Sequence, residues 1–263
     1  MLGALIGDYA GSRFEFSRYR IPDEFALFHE RCRFTDDTVM SIAVAEAIMD
    51  TRGNSDEEIK QELVRSMRRW GRLYEDAGYG GKFYEWLFTE DPKPYFSFGN
   101  GSAMRVSSIG WLFDTMEETR HMAELSASVT HNHPEGIKGA IAIACAIFMA
   151  RHKASKEEIR AEIEKITGYD LSVSYEYYRR RHIRSASCQD TVPEAITAFL
   201  EAESFEDTIR KAIILGGDTD TLAAMAGSIA EAYYGIDASV RNECLKHLPA
   251  DLKEVFQRFE SIR

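Results

Sequence analysis

Helical spacing dominates the pattern of hydrophobic and polar positions. Ile59, Leu63, Met67 and Trp70 recur three or four residues apart, which puts them on one face of an α-helix. The start of that helix is marked by Ser55-Asp56-Glu57-Glu58, a capping box whose Ser hydroxyl and Glu carboxylate satisfy amides that the first turn leaves unpaired. Ser155 and Glu158 repeat the device ahead of Ile159, Ile163 and Ile166. Further helical stretches are predicted over about 116–129, 137–151, 191–202, 204–214, 221–234, 237–247 and 250–262. No segment alternates apolar and polar residues for long in the manner of a strand. The pattern predicts an all-α, compact multi-helix fold, with helices too short and too numerous for a simple four-helix bundle. No linker, repeat or low-complexity tract divides the chain, so residues 1–263 are read as a single domain.

One stretch, Gly78 to Gly101, resists a helical reading. It carries Gly78, Gly80, Gly81, Pro92, Pro94, Gly99 and Gly101, together with eight aromatic residues from Tyr79 to Phe98. Long loops in compact domains are either functional or disordered, and such aromatic content argues against disorder. The rings either stack on a flat ligand such as a base or simply cover the core beneath the loop.

Composition narrows the function. The chain has 32 Lys and Arg against 43 Asp and Glu, a net charge of −11, and 44% of its residues are apolar. It is therefore foldable, and a poor candidate for non-specific binding to nucleic acid or an anionic membrane, both of which attract Lys and Arg. Nucleic acid is not an expected partner on this charge. Cys32, Cys145, Cys188 and Cys244 form no CxxC pair and read as reduced thiols. The segment from Met1 to Asp8 has no basic n-region, so no secretory signal is read there. The longest uncharged apolar run, Gly139 to Ala150, falls short of the ~20 residues of a membrane span. A cytoplasmic protein with no membrane partner is expected.

The chemistry concentrates in two acidic turns. Thr35-Asp36-Asp37-Thr38 and Gly216-Gly217-Asp218-Thr219-Asp220-Thr221 each precede an apolar helical run. Asp and Thr are favoured at helix starts, where they cap amides and complement the dipole. A cap needs one side-chain oxygen, however, and each of these turns offers four or more. If the turns meet, four carboxylates crowd together with no Lys or Arg in either motif, an arrangement that calls for a cation. Donors that are all oxygen select Mg²⁺, Mn²⁺ or Ca²⁺, and four acids suffice for two ions. The Asp-x-Asp-x-Asp-Gly spacing of a calcium-sensing loop is missing. Other polar groups are weaker signals. Gly7 to Glu15 ends a glycine-broken apolar start on a carboxylate. Phe98-Gly99-Asn100-Gly101-Ser102-Ala103-Met104-Arg105 is a loop whose amides could cradle a phosphate, although Asn-Gly is common in ordinary turns. Thr130-His131-Asn132-His133-Pro134 reads as a turn whose His is a hydrogen-bonder or a ligand. The Arg179-Arg180-Arg181-His182-Ile183-Arg184 run reads as a solvated face or a surface for an acidic partner.

Taken together, Gly7 to Glu15 (Gly-Asp-x-x-Gly-x-x-x-Glu), Thr35 to Thr38, Gly99 to Arg105, Thr130-His131 and Gly216 to Thr221 resemble the ADP-ribosylglycohydrolase family nearly end to end. The resemblance implies the orthogonal helical bundle of that family and a centre of two Mg²⁺ (or Mn²⁺) ions. It implies metal ligation by Thr35, Asp36, Asp37, Asp218, Asp220 and Thr221, with catalytic roles falling on Glu15, Asp36 and Asp220. It also implies that Ser97, Gly99, Asn100, Gly101 and Ser102 surround the diphosphate and its ribose, with His131 nearby and Phe98 stacked on adenine. The implied activity is hydrolysis of the bond between ADP-ribose and an acceptor, foremost ADP-ribosylated arginine on a protein. Serine-, nucleic-acid- or small-molecule-linked ADP-ribose, or a non-catalytic, crystallin-like relative, are the alternatives. Residues from about 160 to 190 are where family members diverge, so the acceptor does not carry over.

Overall fold

The computed structural model describes residues 1–181 and 184–263, and among them every named element is a helix, with no strand. The first helix, α1 (Leu2–Gly11), runs unbroken through glycines that its sequence presents as interruptions. Gly3, Gly7 and Gly11 fall four apart on one face, and that face lies directly on the backbone of α13 (Thr219–Tyr234). A Cβ on Gly3 would stand 2.1 Å from the Gly227 carbonyl oxygen, and one on Gly7 2.1 Å from that of Ala223. Gly11 faces the backbone of Thr219 and Asp220, so the two helices run antiparallel at the closest possible approach. Each glycine costs about 1 kcal/mol of intrinsic helix propensity, which packing along the whole length offsets. The contact also holds Asp8, in α1, against the first turn of α13. We expect Gly7→Ala to destabilise the protein by about 3 kcal/mol or more, because backbone rather than a movable side chain blocks the new methyl. A denaturation midpoint within error of the parent would contradict this packing.

Along the chain, α2 (Asp36–Asp50) and α3 (Asp56–Leu73) come next, α3 beginning at the capping box, where Ser55 accepts from the Glu58 amide and Glu58 accepts from that of Ser55. The device recurs at Ser155 and Glu158, at the start of α9 (Lys156–Thr167). The glycine-rich, aromatic segment contains a two-turn helix, α4 (Gly81–Phe88), where the sequence reads as loop throughout. Its buried residues Phe83, Trp86 and Leu87 are spaced three and four apart, and Leu87 packs on Gly71 of α3. Tertiary burial thus overrides the weak helix propensity of aromatic residues and glycine. Short turns α5 (Gly101–Met104) and α6 (Ile109–Leu112) lead to α7 (Met116–Ser128) and α8 (Pro134–Arg151). The chain closes with α10 (Tyr175–Arg181), α11 (Cys188–Leu200), α12 (Phe205–Ile214), α14 (Ala238–His247) and α15 (Ala250–Ile262). Except for α10, which sequence periodicity leaves unread, these lie within a few residues of the predicted limits.

One contiguous apolar core joins these helices, with α8 and α13 at its centre. Cys145 and most of the Gly139–Ala150 run are buried there, and all four cysteines are buried and unpaired. No helix among the described residues is long and apolar enough to cross a membrane. In the arginine run, Arg179 pairs with Asp23, Arg180 with Glu176, and Arg184 donates to the Phe16 carbonyl at 2.8 Å; His182 and Ile183 lie outside the described residues.

Candidate active site

The two acidic turns meet. Asp36 and Asp37 form the first turn of α2; Asp218 precedes α13 and Asp220 lies in its first turn. The Thr221 hydroxyl donates to Asp37 Oδ2 at 3.1 Å and ties one turn to the other. Gly216 and Gly217, at φ +79° and +72°, make the left-handed bend that turns the chain from α12 into α13, and the Gly217 carbonyl accepts from the Phe16 amide at 2.7 Å. That bond brings Glu15 over the same spot. One carboxylate oxygen each from Asp8, Asp37 and Asp220 lies within 4.8 Å of the others, and so does one each from Glu15, Asp218 and Asp220. Asp220 belongs to both groups.

Little of this acidity goes to capping. Thr35 caps α2 by accepting from the Asp37 amide, whereas Asp218 makes no side-chain cap at α13. Sequence reasoning passed over the most buried carboxylate, Asp8. It accepts from the Thr35 amide (2.9 Å), the Thr38 amide (3.0 Å) and the Thr35 hydroxyl (2.6 Å), so it takes over two free donors at the start of α2 and fixes that turn in place. The available signal was an acid inside an otherwise apolar helical run. We expect Asp8→Asn to turn one of these acceptor contacts into a donor–donor clash, cost about 1–3 kcal/mol, and weaken divalent-cation binding at the neighbouring Asp37. Calorimetric titration with Mg²⁺ showing parental affinity would contradict that supporting role.

The electrostatics point one way. Burial foremost, then Asp8 and Asp218, pushes the Asp36 carboxyl up to about 8. Asp37 and Asp220 are raised well above the usual range by burial and then by neighbouring carboxylates, and burial also raises Asp8 and Asp218. Glu15, on the exposed edge, is raised by burial and by Asp218. None of these six acids has an ion-pair partner among the described residues, and the buried Asp37 Oδ1 accepts no hydrogen bond. An unpartnered buried carboxylate oxygen among like charges is costly unless a proton or a cation is present.

The cluster floors a cleft of about 350 Å³. Of the residues expected at the site, Glu15, Asp36, Asp37, Asp218, Asp220, Thr221, Ser97, Gly99, Asn100, Gly101 and His131 line it. Three of the expected residues do not. Thr35 is turned inward onto Asp8. Ser102 is fully buried, and its hydroxyl donates to the Gly136 carbonyl at 2.7 Å. Phe98 is 49% exposed, with its ring edge-on to His133 at 5.5 Å, outside the cleft wall. Asn100 turns its side-chain amide to Asp218 Oδ2 at 2.8 Å, and its backbone amide donates to the Ala186 carbonyl at 2.8 Å. Phe16, Lys82, Phe83, Tyr95 and Arg105 also line the cleft and were not singled out as ligand-facing in the sequence. The aromatic segment covers core, as one of its two readings has it, and part of it borders the cleft. Trp86 covers core, and Phe83 and Tyr95 flank the cleft.

Comparisons with known proteins bear on the family and the fold. A family model described as ADP-ribosylglycohydrolase matches residues 1–262. Human ADP-ribosylhydrolase ARH3 is 26% identical, over 90% of this chain and 85% of its own length. ADP-ribosylarginine hydrolase Tri1 of Pseudomonas putida (strain GB-1) is 27% identical, over 90% of this chain and 70% of its own. A solved structure titled "ADP-ribosylglycohydrolase-related protein complex" superposes with a TM-score of 0.70 at 24% identity, covering 99% of this chain and 95% of that one, which establishes the fold.

Proposed function

Since the chain belongs to the ADP-ribosylglycohydrolase family, we propose that it hydrolyses the bond between ADP-ribose and an acceptor, with divalent cations at the acidic cluster. The observation that carries this reading is the junction of the two turns at Thr221 and Asp37, in a cleft that the glycine loop 99–101 also lines. The donor set fits a hard cation. It is all oxygen, no ion pair with Lys or Arg reaches it among the described residues, and one of its buried oxygens is unpartnered. Asp36, Asp37, Asp218 and Asp220, with the Thr221 hydroxyl, would hold two Mg²⁺ or Mn²⁺ ions, and Thr35 would support them through Asp8 and the Asp37 amide. Bound there, such ions supply Lewis-acid stabilisation of charge that develops on sugar and water oxygens.

The chain's own groups do the remaining work. In the loop the Gly99 amide donates to Ser97 Oγ and the Asn100 amide to the Ala186 carbonyl, which leaves the Gly101 amide and the Ser97 hydroxyl hydrogen to face the diphosphate. Phe98, exposed outside the cleft wall, reaches adenine only if its ring turns away from His133. Glu15 sits at the cluster's open edge with a raised pKa; it takes a proton from the water that adds to the distal ribose C1″ and returns it to the acceptor atom that departs as the C1″ bond breaks through an oxocarbenium-like transition state. Glu15→Gln should lower kcat by about 10²–10⁴-fold while ADP-ribose affinity changes little. Equal kcat in the two proteins would remove Glu15 from the proton transfer.

The acceptor in this reading is ADP-ribosylated arginine on a protein, supported by the Pseudomonas relative's name. Turnover of arginine-, serine- and nucleic-acid-linked ADP-ribose, each with Mg²⁺ and with excess EDTA, tests acceptor and metal together. Arginine-linked substrate should be cleaved fastest, and only with metal. No turnover of any conjugate would leave a non-catalytic relative. The four unpaired thiols suit the cytoplasmic location we assign.

A further inference from the structure

Behind the glycine loop lies a guanidinium with no carboxylate partner. Arg105 is 1% exposed, its Nε has no hydrogen-bond partner, and no ion pair reaches it among the described residues. Its Nη2 donates to the Ser126 carbonyl at 2.7 Å and to the Thr130 hydroxyl at 2.9 Å. The Thr130 hydroxyl in turn lies 2.7 Å from His131 Nδ1. Thr130 is fully buried, and no other acceptor for its hydrogen stands among the described residues. Because Oγ1 already receives the Arg105 N–H, only one assignment satisfies every group: Oγ1 donates its hydrogen to Nδ1. The reverse, with Nδ1–H donating to Oγ1, strands the hydroxyl hydrogen in the interior.

That assignment has a consequence in the cleft. With Nδ1 accepting, a neutral His131 carries its proton on Nε2. His131 lines the cleft, and its Nε2 faces the two loop glycines: a Cβ on Gly101 would come within 3.1 Å of it, and one on Gly99 within 3.5 Å. Nε2 has no partner within the described protein. We propose that Arg105 and Thr130 are positioning residues that lock His131 into one tautomer, so that its Nε2–H is a fixed donor to an anionic oxygen held against the Gly99–Gly101 loop. On the function proposed above, that oxygen belongs to the diphosphate of ADP-ribose. Burial foremost, then the nearby Arg105 charge, holds the His131 pKa well below its usual value, which keeps the ring neutral and the donor in place across the working pH range. Fixing the proton beforehand spares the ligand the cost of selecting a tautomer when it binds.

The test separates this relay from the proposed activity. In protein labelled with ¹⁵N-histidine, the ring signals of His131, identified by their loss in His131→Gln, report its tautomer without any ligand. The parent should show Nε2–H alone, Thr130→Ser should keep it, and Thr130→Val should lose that exclusivity. Calorimetry with ADP-ribose should show about tenfold weaker binding for Thr130→Val, near-parental binding for Thr130→Ser, and no further loss when Thr130→Val is added to His131→Gln. A parental Nδ1–H tautomer, a Thr130→Val protein with unchanged tautomer and affinity, or additive losses in the double variant would each overturn the relay. If ADP-ribose binds none of these proteins, the proposed function fails, while the tautomer measurement still decides the relay.

Discussion

Asp220→Asn is expected to abolish divalent-cation binding and turnover together, with kcat/KM falling by about 10³-fold or more, because Asp220 is the one carboxylate common to both acidic groups. The same substitution removes one of several like charges packed against Asp37 and Asp218. The metal-free variant should therefore be no less stable than the metal-free parent at pH 8. Loss of function without loss of stability distinguishes a ligand from a structural residue. Thermal melts of both proteins in EDTA, beside titration with Mg²⁺, check the two halves of the prediction. Retained turnover under excess EDTA would remove the metal from the mechanism.

The second large effect couples pH to metal. An unfolded Asp titrates near about 3.9. Folded and metal-free, Asp36 is pushed up to about 8, and Asp37 and Asp220 are also raised. Between these values the folded state holds protons that the unfolded chain has released, so the carboxyls' contribution to stability is complete below pH ~4 and is lost as pH climbs to ~8. Cations replace those protons, and they bind better as the protons leave. In EDTA the Tm should fall from pH 5 to pH 8. Mg²⁺ at 100-fold its Kd should restore about 2.7 kcal/mol, roughly 5–10 °C, at pH 8 and clearly less at pH 5. Equal Mg²⁺-induced gains at the two pH values would contradict a cluster that exchanges protons for metal.

Much of this was legible in residue order. Capping boxes and helical spacing located α3 and α9 because those signals are local. The acidic turns stood out because two of them carried more oxygen than capping uses. What sequence concealed depends on contacts between distant segments. Gly3, Gly7 and Gly11 look like helix breakers until α13 is set against them. Asp8 reads as a lone acid in an apolar run until the start of α2 arrives to use it. Phe83, Trp86 and Leu87 make a helix only because α3 supplies a surface to bury them. Ser102 and Phe98 share a motif with cleft-lining residues yet face elsewhere, since adjacent positions in a tight turn point in different directions. The direction of the Arg105 side chain is likewise set by Thr130 and Ser126 on a different segment.

The central claim is that cations sit between the Asp36–Asp37 and Asp218–Asp220 turns. Anomalous scattering from crystals soaked in Mn²⁺ tests it most directly. Two peaks there, each within bonding distance of Asp220, are the predicted result. Mn²⁺ absent from that junction while the same protein still turns over an ADP-ribose conjugate would contradict the claim.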